Sequence, residues 1–156
     1  MSNYTRIFLD GYRYFITIVT HTRNPILIEN ISLLRESFAV SKMKYEYRID
    51  AIVILPDHIH MIITPKIATD YPKIIRAMKY HFSKHLEAKY YTYVKQSTSR
   101  YKRGSKPIWQ KRYYEHTIRD EKDYVEKMAY IQYNPSKHNL VKDVKDWEYS
   151  SFYKVQ

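Results

Sequence analysis

Apolar positions recur along this chain with two different periods, and the switches between them mark its elements. Tyr12 to Thr20 is rich in β-branched and aromatic residues and predicts a strand. From Ile31 to Tyr45, Ile31, Leu34, Phe38 and Met43 fall at roughly helical spacing and predict a helix. Tyr47 to Leu55 is a second strand, Pro56-Asp57 a tight turn, and His58 to Thr64 a third strand antiparallel to the second. Asp70 is placed to cap the next helix and Pro72 suits its first turn. Ile74, Ile75, Met78, Phe82 and Leu86 then repeat at helical period. Trp109 to Ile118 predicts a fourth strand, and Asp120 to Asn134 a last helix ended by Pro135. In the tail, Trp147 and Phe152 are expected to pack back on the body.

The order is βαββαβ followed by a helix. This is the α+β, ferredoxin-like pattern: an antiparallel sheet, two helices on one face and a carboxyl-terminal helix added. The sheet's other face is left for a site. With 156 residues and no clear linker, residues 1–156 are expected to form a single domain. Topology alone assigns no function.

Composition narrows the chemistry. Two glycines, Gly11 and Gly104, cannot build a glycine-rich phosphate loop, so Walker and Rossmann sites are excluded. With no cysteine, any metal must rest on His, Asn, Gln or carboxylate ligands. Lysine and arginine number 27 against 16 acids, a net charge of +11 that attracts polyanions. The 18 tyrosines offer rings on which single-strand bases stack, although an AT-rich genome would also raise that count. No apolar run is long enough to span a bilayer, and Met1 to Arg6 lacks the apolar core of a signal peptide. The chain is read as cytoplasmic, without a membrane partner.

His58 and His60 stand two apart on a predicted strand, so both imidazoles point to one face, while Ile59, Met61 and Ile63 point to the other. Two imidazoles on an open sheet face suit a divalent metal. On the last helix Tyr130 and Asn134 are four apart and share a face. A tyrosine that attacks phosphorus needs positive charge beside the phosphate, which a metal supplies. Asn134 can add its amide oxygen as a third ligand. Tyr133 competes with Tyr130 but lies off the Asn134 face by about 100°.

Three segments resemble a known family: Ile54 to Met61 (ILPDHIHM), Trp109 to His116 (WQKRYYEH) and Tyr130 to Val141 (YIQYNPSKHNLV). They are similar to the REP-associated tyrosine transposases of the HUH superfamily of single-strand nucleases, from about Tyr12 to Phe152. The resemblance implies that His58, His60 and Asn134 hold Mg or Mn. It implies that Tyr130 is the nucleophile, forming a 5′-phosphotyrosine and leaving a 3′-hydroxyl. The implied partner is single-stranded DNA, often with a nearby hairpin, and some relatives are homodimers. The chain departs from the family at Asn139, where relatives commonly carry Gly; Asn tolerates a left-handed backbone, so the turn can survive.

Around this centre, Glu115 and His116 are expected as site neighbours. His21, His81, His85 and His138 are expected as surface or packing residues. Lys95 to Lys106 carries no acid and is expected to be a mobile loop, whose Arg100, Lys102, Arg103 and Lys106 could grip phosphates. The alternative function is a non-catalytic or domesticated single-strand-binding module on the same fold. A 2H-type phosphoesterase would need two His-x-Ser/Thr triplets, and only His81-Phe82-Ser83 occurs.

Overall fold

Alternation along the strands decides which residues line each face of the sheet. The computed structural model describes residues 11–154. The segment Met1 to Arg6, read above for a signal peptide, lies outside them. The strands are β1 (Arg13–Val19), β2 (Tyr47–Ile54), β3 (His58–Pro65) and β4 (Tyr114–Ile118). The helices are α1 (Ile31–Lys44), α2 (Tyr71–His85), α3 (Thr98–Lys102) and α4 (Glu121–Lys137). The sheet order is β2-β3-β1-β4, with every pair antiparallel. This is the ferredoxin-like α+β arrangement that the pattern predicts.

One sheet face carries Tyr14, Ile16 and Ile18 of β1 with Ile59, Met61 and Ile63 of β3. They pack with Leu34 and Phe38 of α1 and with Ile74, Ile75, Met78 and Phe82 of α2. Each fully buried aliphatic side chain there contributes roughly 1.5–3 kcal/mol. The other face carries a smaller cluster of Phe15, Val53, Ile62, Ile118 and, from α4, Ile131. Tyr124, Met128, Trp147 and Phe152 pack against it, so the tail does fold back on the body. This second face is therefore covered in part by α4, and His58 and His60 lie on it beneath the second half of that helix.

Four boundaries differ from the sequence reading. Trp109 joins β1 only through an isolated bridge to Thr20, and its ring is buried against Phe82 at 5.2 Å. That burial takes the chain off the ladder, so β4 begins at Tyr114. The basic loop contains α3, capped by the Ser97 hydroxyl, which accepts from the Arg100 N–H at 3.2 Å. Asp70 stands before α2 but makes no side-chain cap, because a 3₁₀ turn over Ala68–Asp70 already gives it helical dihedrals.

The fourth difference is that α4 runs through Pro135 to Lys137. Proline removes one helical N–H without stopping the next turn. The helix instead ends in a Schellman motif. The Leu140 N–H donates to Pro135 O at 2.9 Å and the Asn139 N–H to Ser136 O at 3.0 Å. Asn139 takes a φ of 58°, the left-handed turn expected of it.

Candidate active site

Two loops fix the histidine strand at its start. The Thr20 N–H and hydroxyl both donate to Asp57 O, at 3.0 and 3.1 Å, which ties the Pro56-Asp57 turn to the end of β1. The Asp57 carboxylate accepts from His58 Nδ1 at 2.6 Å and pairs with Arg23 Nε at 3.1 Å. His60 Nδ1 is hydrogen-bonded to the Thr17 hydroxyl at 2.8 Å, a partner directly opposite it in the β1–β3 register. Both imidazoles are 5 % exposed and stand edge to face, with centroids 4.8 Å apart.

With each Nδ1 occupied, each Nε2 is left without a hydrogen bond among the described residues. For His58 the carboxylate acceptor fixes the proton on Nδ1 and the lone pair on Nε2. Burial lowers the His60 pKa to about 3, aided by the charges of His58, His138 and Lys137. Burial also lowers that of His58, against the opposing pull of the Asp57 carboxylate. Both rings are therefore neutral near pH 7, the state in which imidazole accepts a metal.

Helix α4 crosses this face. Asp120 caps it, accepting from the Asp123 N–H at 2.8 Å. The Asp123 carboxylate then bridges His116 Nε2 at 2.7 Å and Lys127 Nζ at 3.1 Å, pinning the first turns of α4 to β4. Arg13 lies over the Tyr124 ring at 4.2 Å. Ile131, fully buried, holds the middle of the helix down. Next to it the Tyr130 ring meets His60 edge to face at 5.1 Å and Phe15 at 5.8 Å, while remaining 39 % exposed. One turn further, Asn134 is 1 % exposed and neither polar atom of its amide has a hydrogen-bond partner. Another turn on, the His138 ring lies 5.2 Å from that of His58. Asn134 thus sits between the two points where α4 touches the histidine pair.

A buried amide with no partner is costly unless something absent here satisfies it. Two free imidazole nitrogens and an amide oxygen form a donor set that fits a divalent ion with oxygen ligands added. Among the described residues no group of three or more His, Cys, Asp or Glu could hold a metal, so a third protein ligand beside the histidine pair would be of another type, such as the Asn134 amide.

The remaining expected residues distribute unevenly. His116 lies on the site face opposite Phe15, though its Nε2 is committed to Asp123. Glu115 pairs with Ile16 and so points to the other face, towards α1 and α2; it is not a site neighbour. Buried there, its carboxyl pKa is raised. Tyr133 turns to solvent, 57 % exposed. Arg100 spends its guanidinium on His21 Nδ1, Lys106 O and Trp109 O, and Lys106 donates to Ser83 O at 2.9 Å. Arg103 bonds to the Ser99 hydroxyl, which leaves Lys102 as the cation of the four with no such tie among the described residues. The basic segment is therefore tied to the rest of the fold by Arg100 and Lys106, two of the four cations expected to grip phosphate.

Three contributors escaped the sequence reading. Thr17 was legible only through the β1–β3 register. Lys137, whose Nζ lies 5.0 Å from the Tyr130 ring centroid, follows Tyr130 by two helical turns and was hidden by ending the helix at Pro135. His138, expected as a surface or packing residue, is exposed but faces His58.

Comparison with known proteins places this four-stranded sheet, with its histidine pair under a tyrosine-bearing helix, among the transposases. The family described as "Transposase IS200 like" matches residues 9–134. A Haemophilus influenzae protein assigned to the REP-associated tyrosine transposases is 40 % identical over 156 residues, 99 % of this chain and 87 % of its own length. The REP-associated tyrosine transposase of Escherichia coli K12 is 33 % identical over 156 residues, 99 % of this chain and 84 % of its own. A solved structure of a REP-associated tyrosine transposase bound to a REP hairpin superposes with a TM-score of 0.78 at 33 % identity, covering 97 % of this chain and 83 % of that one. The chain belongs to the IS200-like transposase family and, within it, to the REP-associated tyrosine transposase type.

Proposed function

We propose that this protein cuts and rejoins single-stranded DNA through Tyr130. The observation that carries this reading is the Tyr130 ring, partly open to solvent and set 5.1 Å from His60, one turn before the unpartnered Asn134 amide. The Tyr130 hydroxyl makes no hydrogen bond among the described residues, so nothing in the chain has to be displaced before it meets a phosphate.

In the reaction, the Tyr130 oxygen forms a bond to phosphorus as the bond from phosphorus to the 3′-oxygen breaks. The phenol loses its proton and the departing 3′-oxygen gains one. The products are a 5′-phosphotyrosine and a free 3′-hydroxyl, and attack by a 3′-hydroxyl on the adduct reverses the step and joins strands. His58, His60 and Asn134 would hold Mg or Mn. When bound, such an ion supplies the charge that stabilises the phosphate oxygens in the transition state. Asp57 and Thr17 fix the two rings in the orientation that leaves Nε2 available. Lys137 adds positive charge beside the Tyr130 ring.

The substrate is a single strand bearing a palindromic hairpin. The related transposase solved with a REP hairpin and the charge of +11 support this reading. The test uses labelled single strands with palindromes from the DNA flanking the gene, incubated with Mn. The expected result is a covalent protein–DNA adduct that mass spectrometry maps to Tyr130. Tyr130→Phe should abolish the adduct while leaving the melting temperature and strand binding unchanged. Cutting that persists in Tyr130→Phe sinks the assignment, and binding without cutting by the native chain favours a binding module instead.

A further inference from the structure

Beside Tyr130 a cleft of about 510 Å³ opens between α4 and the β1–β4 edge of the sheet. Its size lies in the range of about 300–1,000 Å³ usual for ligand clefts. It is lined by Phe15, His60, Tyr114 and Tyr130, with Glu126 and Lys127 as its charged side chains. The Tyr130 and Tyr114 rings are both edge-on to Phe15, at 5.8 Å and 6.3 Å with interplanar angles of 83° and 71°. Tyr114 is 57 % exposed, a large ring held open to solvent on a strand that is otherwise mostly covered.

The two charges are not equivalent. Lys127 is committed to Asp123 and reaches over the Phe15 ring at 6.0 Å. Glu126 is exposed and makes no hydrogen bond or ion pair among the described residues. A free carboxylate beside the nucleophile repels a phosphate backbone. Beside nucleic acid it suits the edge of a base better than a phosphate. Carboxylates accept from exocyclic amino groups of bases, and aromatic rings take the base faces.

We infer that this cleft receives the unstacked base next to the cleaved phosphate, with the exposed Tyr114 ring against the base and Glu126 accepting from its amino group. The inference rests on Tyr130 being the nucleophile, since that is what sets the cleft within one nucleotide of the reacting bond. It makes Glu126 a specificity residue. Adenine, cytosine and guanine carry an exocyclic amino group and thymine does not.

Two arms test it. In the first, Tyr130→Phe protein is titrated with a synthetic palindrome-bearing single strand in which one abasic nucleotide is moved position by position. One position should weaken binding about ten-fold, the size expected for losing a stacked base. Adding Tyr114→Ala should shrink that penalty below about two-fold. In the second, native protein cuts strands carrying each of the four bases at that position. Thymine should be cut about ten-fold more slowly, and Glu126→Ala should level the four. Binding indifferent to the abasic site at every position overturns the cleft. Equal cutting of all four bases, or discrimination against thymine that survives Glu126→Ala, overturns the role of Glu126. If the native protein cuts no strand, the nucleophile assignment fails separately, and the binding arm still decides the cleft.

Discussion

At the scale of single residues, the histidine pair underlies the proposed chemistry and predicts a pH dependence. The His60 pKa lies at about 3, below the usual histidine value, so the unfolded chain binds more protons than the folded one between those values. The stability contributed by the neutral His60 should therefore be lost progressively as the pH drops through the ordinary histidine range, the loss being complete once His60 itself is protonated near pH 3. His60→Asn should flatten that part of a melting-temperature profile measured without metal; an unchanged slope would refute the burial account. Thr17→Val removes the hydroxyl that orients His60, and should weaken Mn binding by about 10- to 100-fold in calorimetry without moving the fold. The pair itself was legible in the sequence, because spacing of two on a strand fixes a shared face. The face of Glu115 was not, since it depends on which residue of β1 it pairs with, and Ile16 sends it away from the site.

At the scale of elements, the placement of α4 matters most, since it brings Tyr130 and Asn134 to the sheet. Three things hold it: the Asp123 bridge to His116 and Lys127, the buried Ile131, and the Schellman ending at Asn139. Ile131→Ala leaves a cavity against Ile62 and Val53 and should cost roughly 2–5 kcal/mol in urea unfolding. Asn139→Ala, forced into left-handed φ, should cost about 1–2 kcal/mol, whereas Asn139→Gly should not destabilise. The long strands and helices were readable because their apolar period runs over many residues. Helix α3 was not, because its five residues show no apolar repeat and its cap is a single serine. The end of α4 was misread because a proline rule acts locally, while the chain's later N–H groups find partners beyond it.

At the scale of the whole molecule, the net charge of +11 sets how the protein meets DNA. If about four phosphates are contacted, affinity for a single strand should fall about fifty-fold between about 50 and 200 mM salt. A salt-independent affinity would show that the charge is not what binds. Among the described residues no helix is long and apolar enough to cross a membrane. The sheet's two edges are treated differently. Along the second half of β2 the tail lies as a partial extra strand: the Ile54 N–H donates to Tyr149 O at 2.8 Å and the Ser151 N–H to Ile52 O at 2.9 Å. The first half carries the Arg48–Asp50 ion pair, a charged stretch that discourages strand addition. Beyond β4 nothing pairs among the described residues. Edge-to-edge growth needs two open edges per molecule, and among the described residues the sheet has one fully open edge, β4, and a β2 edge that the tail covers in part. Strand addition at β4 can join two sheets, while the tail and the charged stretch on β2 hinder a further addition at the other edge, which favours a closed pair over a growing fibre.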